Sequence, residues 1–178
     1  MYTAFFWALL GCAATAFAQH ANETVKLRSP NDRVELSFAL DKAGAPAYSV
    51  NYDGRALILP STLGLAFKQG GALGGMTLAG TRHRAHDETY ELVVGKTRRA
   101  RDRYRELSVS LVENDGAKRK LQLVFRAYDD GVAFRYLLPA QDALKDFEIT
   151  DERSEFRFPT DHTCWAMQLR TFHSNYEK

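Results

Sequence analysis

The stretch LQLVFRAYDDGVAFRYLLP, Leu121 to Pro139, indicates the fold of this chain. Apolar side chains recur there at every second position, at Leu121, Leu123, Phe125 and Ala127 and again at Val132, Phe134, Tyr136 and Leu138. A period of two predicts two strands, each with one buried face, joined at Asp129-Asp130-Gly131. We expect Gly131 to take the positive φ of a tight reversal, which Asp130 also tolerates. Because a lone hairpin is marginal in water, a second sheet must cover its apolar face.

Short segments with the same alternation recur along the rest of the chain, at 34–40, 48–52, 56–59, 63–67, 107–111, 147–149 and 156–158. Asp53-Gly54 and Asn114-Asp115-Gly116 are turn signals between them. The glycines of Gly70 to Gly75 lack the strand-to-helix context of a phosphate-binding motif, so they predict a flexible loop. Many short strands separated by turns predict an all-β fold, an antiparallel sandwich or barrel.

The N-terminus differs from the rest of the chain. Residues 4–18 carry no charge, and Ala16-Phe17-Ala18 supplies small residues around a cleavage point. The segment is too short to span a bilayer comfortably, so residues 1–18 are predicted to be a secretory signal peptide, with a secreted or periplasmic mature chain from 19 to 178. One alternative is a buried N-terminal helix. Another is a lipoprotein signal, in which Leu9-Leu10-Gly11-Cys12 ends in a lipidated Cys12.

Cysteine and basic residues limit the remaining possibilities. Cleavage after Ala18 leaves Cys164 alone, so the fold cannot rest on an internal disulfide. Cys164 stands in a predicted strand, where a buried thiol is expected. The net charge of +2 indicates no particular partner. Four basic residues at strand spacing predict a solvated sheet face and no nucleic-acid site, since only one tyrosine is near for stacking: Arg99, Arg101, Arg103 and Arg105.

Two groups of carboxylates are candidates for hydrolytic chemistry: Asp87 with Glu88, and Asp151 with Glu152 and Glu155. Glycoside hydrolysis needs two acids facing each other across the scissile bond. Adjacent strand residues point to opposite faces, so both groups are predicted to be surface charge. The C-terminal residues His162, Trp165, His173, Tyr176 and Glu177 suit either an aromatic edge of the core, which the residues alone favour, or a sugar or metal site.

Several segments, in order and spacing, resemble the N-terminal region of glycoside hydrolase family 97. They are VKLRSPNDRVELSFALDKAGAPAYSVNYDGRALILPSTLGL, HDETYELVVG, YRELSVSL, FRAYDDGVAFRYLLP and DFEITDERSEFRF, and the resemblance runs from about Val25 to Glu177. The family consists of exported bacterial enzymes of the α-glucosidase and α-galactosidase type. The resemblance implies a β-super-sandwich, similar to galactose mutarotase, that leans on a (β/α)8 barrel.

The resemblance also implies where the chemistry lies. The general acid and the base or nucleophile belong to the barrel, so no catalytic residue is expected in this chain, which alone is expected to be inactive. Glu177 corresponds to a calcium ligand near the bound sugar, and without barrel ligands it is expected to bind calcium weakly. We expect a sandwich truncated at its C-terminal end and a barrel encoded downstream or separately. The alternative is a freestanding carbohydrate-binding β-sandwich, with Trp165 stacking on an α-glucoside or α-galactoside.

Overall fold

The computed structural model describes residues 24–166, so the predicted signal peptide, Cys12 and Glu177 lie outside the described residues. The described residues form β-strands throughout, with one short 3-10 turn at Asp142–Leu144. The strands are β1 (Val25–Arg28), β2 (Val34–Leu40), β3 (Pro46–Tyr52), β4 (Arg55–Thr62), β5 (Leu65–Phe67), β6 (Gly71–Ala72), β7 (Met76–Glu91), β8 (Arg99–Glu113), β9 (Lys120–Tyr128), β10 (Gly131–Leu137) and β11 (Ile149–Glu152).

The strands form three antiparallel sheets. The first sheet has the order β1-β2-β3-β4, the second β10-β9-β8-β7 and the third β11-β5-β6. The first two are meanders in which each strand pairs with its neighbour in the sequence. The predicted all-β antiparallel sandwich is confirmed. In residues 24–166 no helix has the length and apolar character needed to cross a membrane.

The core lies between the first and second sheets. Phe38 of β2 contacts Phe125 of β9 with ring centroids 5.8 Å apart, and Tyr48 of β3 lies 5.5 Å from Phe134 of β10. The alternating residues of β9 are fully buried, and those of β10 pack against the same core. The prediction that a second sheet covers the hairpin is confirmed. Burial of each large side chain contributes about 1.5–3 kcal/mol.

Two hairpins show how turn chemistry acts in this fold. Asp53 and Gly54 have φ values of 48° and 76°, the two positive angles of a type I′ turn between β3 and β4, as the sequence predicts. The hairpin between β9 and β10 also lies where predicted, with Tyr128 paired to Gly131. However, the expected positive φ at Gly131 is wrong. The reversal uses Asp129 and Asp130 without left-handed backbone, and Gly131 is the first residue of β10.

The glycine-rich segment is not the flexible loop expected from sequence. Gly71 and Ala72 form β6, which pairs with β5. The Arg119 guanidinium also donates to the carbonyl oxygens of Gly71 and Ala72 at 3.2 and 3.1 Å. Arg119 is itself held by a buried, two-pronged ion pair with Glu113, at 2.6 and 2.7 Å. Composition predicts flexibility here, but the side chain of Arg119, from the turn between β8 and β9, holds the segment in place.

Strands β7 and β8 are much longer than their neighbours. They pair from Met76↔Glu113 to Glu91↔Arg99, whereas β9 pairs with β8 only from Arg105 to Val112. Residues 86–104 therefore form a two-stranded projection, here called the ribbon. As predicted, the odd-numbered arginines of this region are solvated and pair with carboxylates: Arg101 with Asp87, Arg103 with Asp87 and Asp129, and Arg105 with Asp32.

Candidate functional site

Of the C-terminal residues that the sequence offered for a sugar or metal site, His162 and Trp165 lie in the last described part of the chain, residues 146–166, and His173, Tyr176 and Glu177 lie outside the described residues. β11 pairs with β5, and the chain then continues in extended form along β4. Backbone N–H groups of Arg153 and Glu155 donate to the carbonyls of Gly64 and Thr62, each at 2.9 Å. The Leu59 N–H donates to the Arg157 carbonyl at 2.8 Å. The segment is thus fixed to the sandwich as far as residue 157.

Two tyrosines, the buried Tyr48 and the partly buried Tyr136, hold the same segment through hydrogen bonds. The Tyr48 hydroxyl donates to the Glu155 carbonyl at 3.0 Å. Burial raises the pKa of Tyr48 to about 12, with a smaller contribution from Tyr136. Burial also raises the pKa of Tyr136, whose hydroxyl lies 2.7 Å from the Ser154 hydroxyl. Because Ser154 donates to Glu152 at 2.8 Å, Tyr136 acts as the donor to Ser154. Both tyrosines are neutral donors that hold backbone and side chains of residues 152–155.

Large apolar side chains of this segment face solvent. Trp165 is 94% exposed, and four others are about half-exposed: Phe147, Ile149, Phe156 and Phe158. The prediction that Trp165 belongs to an aromatic edge of the core is therefore wrong. The expected buried strand thiol is also wrong, because Cys164 is exposed and lies outside any strand. The reason is that residues 158–166 pair with no strand among the described residues. Their side chains therefore have no sheet that could bury them.

Beside Phe147 lies an open depression of about 640 Å³. The amide of Gln141, one of its polar lining groups, is occupied by the backbone of Lys120, accepting at 2.7 Å and donating at 2.8 Å. Asp142 and Lys145, two further lining groups, pair with each other at 2.8 Å. These polar groups are already hydrogen-bonded or ion-paired within the protein, so few remain to bind a polar ligand.

The predicted carboxylate groups are surface charges with local partners. Arg101 donates to both oxygens of Asp87 and holds the pKa of that carboxyl below its ordinary value. The Thr62 N–H donates to Glu155 at 2.9 Å and likewise lowers its pKa. Asp151 pairs with Arg153 at 2.9 Å. As predicted, neither group forms a pair of facing acids. Asp87, Asp151 and Glu155 each hold a neighbouring part of the chain through these contacts.

A metal site was expected at Glu177, which lies outside the described residues. Residues 24–166 contain no group of three or more His, Cys, Asp or Glu side chains arranged to hold a metal ion.

A polar cluster at the base of the ribbon is not apparent from the sequence. Tyr104 is buried, with the Arg126 guanidinium carbon 4.1 Å above its ring. Glu106 accepts from Arg126 at 2.8 Å, which raises the pKa of Arg126, and from Arg84 at 3.4 Å. These residues come from three neighbouring strands. A strand pattern shows which face each occupies but not which cross-strand neighbour it meets.

Comparison with known proteins identifies the fold. The family described as "Glycosyl-hydrolase 97 N-terminal" matches residues 27–178. A probable retaining alpha-galactosidase of Streptomyces bingchenggensis is 33% identical over 163 residues, which are 91% of this chain and 25% of that protein. The retaining alpha-galactosidase of Bacteroides thetaiotaomicron is 25% identical over 157 residues, 88% of this chain and 22% of that protein.

Solved structures agree with the sequence comparison. A glycoside hydrolase family 97 enzyme of Pseudoalteromonas sp. strain K8, solved with panose or with acarbose, superposes with a TM-score of 0.72 at 24% identity, over 76% of this chain and 20% of that chain. A beta-arabinopyranosidase superposes with a TM-score of 0.69 at 30% identity, over 76% and 21% of the two chains.

In these relatives the matched region is a quarter or less of a much larger hydrolase, so the fold is that of an N-terminal domain of a glycoside hydrolase. The chain belongs to glycoside hydrolase family 97 and corresponds to its N-terminal domain. It spans about a quarter of the length of the curated relatives that it matches.

Proposed function

We propose that this chain serves as the non-catalytic N-terminal domain of an exported α-glycoside hydrolase, with α-galactosides as its first substrate class. The proposal rests on the family match over residues 27–178, together with two relatives that are named α-galactosidases. α-Glucosides are the alternative class, because a related enzyme has been solved with panose and acarbose. The mature domain would begin after residue 18, and N-terminal sequencing of exported protein that starts at Gln19 would support this cleavage.

Catalysis in this proposal belongs to a (β/α)8 barrel encoded downstream or separately. In support, the carboxylates that sequence singled out, Asp87 and the Asp151–Glu155 group, are engaged by their own arginines and backbone amides. A retaining or inverting hydrolase needs two carboxyl groups free to face the glycosidic bond. The sandwich would instead support the barrel and border its sugar site.

Glu177 is the proposed contribution of this chain to a calcium site. Its carboxylate is a hard oxygen ligand, and the ion would polarise sugar hydroxyls when bound. In this proposal the remaining ligands are carboxylates of the barrel, and residues 24–166 contain no group of three or more His, Cys, Asp or Glu side chains placed to hold a metal ion. The chain alone should therefore bind calcium weakly.

The calcium proposal is tested by Glu177→Gln in a protein that joins this chain to a family barrel. Losing one charged ligand should shift half-maximal activation to a calcium concentration at least about tenfold higher, a shift of about 1.4 kcal/mol. Asp161→Gln, an exposed carboxylate in the same segment, is the matched control and should leave activation unchanged. An unaltered calcium response in Glu177→Gln would remove this residue from the site.

A second candidate function is carbohydrate binding by the sandwich itself. The observation that favours it is the near-complete exposure of Trp165, since an indole ring stacks on the apolar face of a sugar.

Calorimetric titration of the chain with galactosides and with panose tests this candidate. Saturable binding should be lost in Trp165→Ala and retained in Tyr90→Ala, which removes an exposed aromatic of the ribbon. Both variants should keep the wild-type melting temperature. Heats that do not saturate, or binding that survives Trp165→Ala, would reject a stacking site at Trp165.

A further inference from the structure

The ribbon projects well beyond the sandwich. Six consecutive residue pairs, from His86↔Tyr104 to Glu91↔Arg99, lie past Arg105, the outermost β8 residue that pairs with β9. At about 3.4 Å per residue the ribbon extends roughly 20 Å from the edge of the second sheet. An isolated two-stranded ribbon is marginal in water, so a projection of this length needs either local support or a partner.

The base of the ribbon has that support and sets its direction. Arg101 binds both oxygens of Asp87 across the ribbon at 2.7 Å. Arg103 lies 3.6 Å from Asp129 in the neighbouring hairpin, and Tyr104 is buried against Tyr128 with ring centroids 5.3 Å apart. The Leu92 N–H donates to the Arg98 carbonyl at 2.8 Å and closes the turn. The turn that Leu92 and Arg98 close is therefore held at the end of a ribbon that these contacts stabilise.

The tip of the ribbon, residues 92–98, carries apolar side chains that the sandwich does not use. Val93 is 99% exposed and Val94 is 82% exposed, while Leu92 and Tyr90 just behind them are nearly half-exposed. Exposed apolar groups that cluster at a projecting turn mark a contact with another surface.

A cluster of basic residues follows the two exposed valines in the chain. It consists of Lys96, Arg98 and Arg99, all exposed. The single carboxylate between Tyr90 and Arg99 is Glu91, which lies 3.8 Å from Arg98 and 4.0 Å from Arg99. These are loose, solvent-exposed pairs, which contribute little and leave the tip with net positive charge.

We propose that the ribbon tip is a contact site for the surface of an anionic phospholipid bilayer. In this arrangement Val93 and Val94 enter the boundary between headgroups and acyl chains, and Lys96 and Arg98 lie at the level of the phosphates. Tyr90 then lies in the interface, where amphipathic rings are favoured.

The size of the tip favours a bilayer over a protein partner. A specific protein complex covers roughly 800 Å² on each partner, usually with more than twenty residues. The tip is only seven residues long, and all seven are exposed. A bilayer requires no complementary shape, and exposed apolar side chains followed by basic residues are enough for weak, reversible attachment.

Sedimentation of the predicted mature chain, residues 19–178, with phospholipid vesicles tests the proposal, because the apolar segment 4–18 would bind vesicles by itself. The chain should bind vesicles that contain phosphatidylglycerol and should not bind pure phosphatidylcholine. Val93→Asp with Val94→Asp should lower the bound-to-free ratio about tenfold, since burying even one valine carries a free energy of this order. Lys96→Gln with Arg98→Gln should weaken binding similarly, and added salt should weaken it further.

Arg82→Gln with Arg135→Gln is the charge-matched control, because both arginines are exposed on the second sheet away from the tip. This variant should bind as the wild type does. Val94→Trp provides a second readout, since its fluorescence should shift to the blue on anionic vesicles. Equal binding by the control and the tip variants, or no binding to anionic vesicles, would overturn the proposal. The proposal would also be overturned if light scattering showed a dimer that the tip variants lose while the chain bound no vesicles.

Discussion

At the scale of single residues, the pair of Glu113 and Arg119 has the clearest structural role outside the apolar core. Both side chains are buried, and Arg119 connects the end of β8 to β6 through two carbonyl oxygens. Burial opposes ionisation of Glu113, but hydrogen bonds from the guanidinium and backbone N–H of Arg119 outweigh it, so its pKa lies below the ordinary value. The pair is therefore ionised at neutral pH and orders the glycine-rich segment.

Arg119→Met should lower the free energy of unfolding by about 3 kcal/mol, because it leaves a buried carboxylate without a partner. The double variant with Glu113→Leu should cost less than Arg119→Met alone, since no unpaired charge then remains and only the donors to Gly71 and Ala72 are missing. Urea denaturation measures both values. A double variant that is less stable than the single one would contradict this role for the pair.

The same pair predicts a dependence of stability on acid. The folded pKa of Glu113 is depressed, so its contribution is complete above the unfolded carboxyl pKa, about 4.3, and is lost as pH falls through the folded value. Glu113→Gln should therefore be less stable than wild type at neutral pH. The difference should shrink as pH falls below about 4. A difference in melting temperature that stays constant across this range would contradict the prediction.

Single-residue predictions from sequence succeeded where the strand pattern determines a face and failed where it does not. Alternation identified the buried residues of β9 because each has a regular neighbour on the same face. Cys164 and Trp165 occupy a similar local pattern, yet both are exposed because their segment joins no sheet among the described residues. Alternation within a segment determines which side chains share a face. Whether that face is buried depends on a neighbouring strand or sheet, which the local sequence does not specify.

At the scale of elements, glycine acts in two ways in the turns. Gly44 and Gly54 have nearly equal positive φ values of 74° and 76°. A Cβ atom at Gly44 would lie 2.6 Å from the Met76 backbone nitrogen, whereas a Cβ at Gly54 would meet no atom within 4 Å. The first glycine therefore allows a close approach between β7 and the β2–β3 turn, and the second only allows a left-handed turn.

Gly54→Ala should cost about 1 kcal/mol of unfolding free energy, the strain of left-handed backbone at a non-glycine residue. Gly44→Ala should cost about 3 kcal/mol, because overpacking against a backbone that cannot move adds to the same strain. Gly131→Ala is the control and should change stability by less than about 0.5 kcal/mol, since Gly131 has neither positive φ nor close neighbours. Equal costs at positions 44 and 54 would refute the close approach.

From sequence, strands β2, β3, β4, β5, β8, β9 and β10 were predicted at least in part and β1, β6 and β7 were not, while the strand expected at 156–158 is wrong because those residues form no strand. The Asp53-Gly54 signal specifies its turn type because that type needs positive φ at both residues. The ribbon could not be predicted, because residues 86–91 and 99–103 carry mostly polar side chains on both faces and give no sign of where β9 stops pairing with β8. The charges of β8 were correctly interpreted as a solvated face, although their role in bracing the ribbon depends on contacts across strands.

At the scale of the whole molecule, the chain is a sandwich with apolar side chains still exposed near its C-terminal end. Phe147, Phe156 and Phe158 are each about half-exposed, and the backbone on either side of Phe156 is hydrogen-bonded to β4. In the family 97 relatives this sandwich accounts for only about a quarter of the protein. We expect these side chains to be covered by neighbouring parts of a longer hydrolase, in which the sandwich supports a catalytic barrel.

The central claim is that cleavage of the glycosidic bond requires groups beyond this sandwich. The most direct measurement is release of nitrophenol from an aryl α-galactoside and an aryl α-glucoside by the purified 178-residue chain, with and without calcium. The account predicts a rate indistinguishable from that of buffer for both substrates. Saturable turnover that follows the concentration of the chain would contradict it.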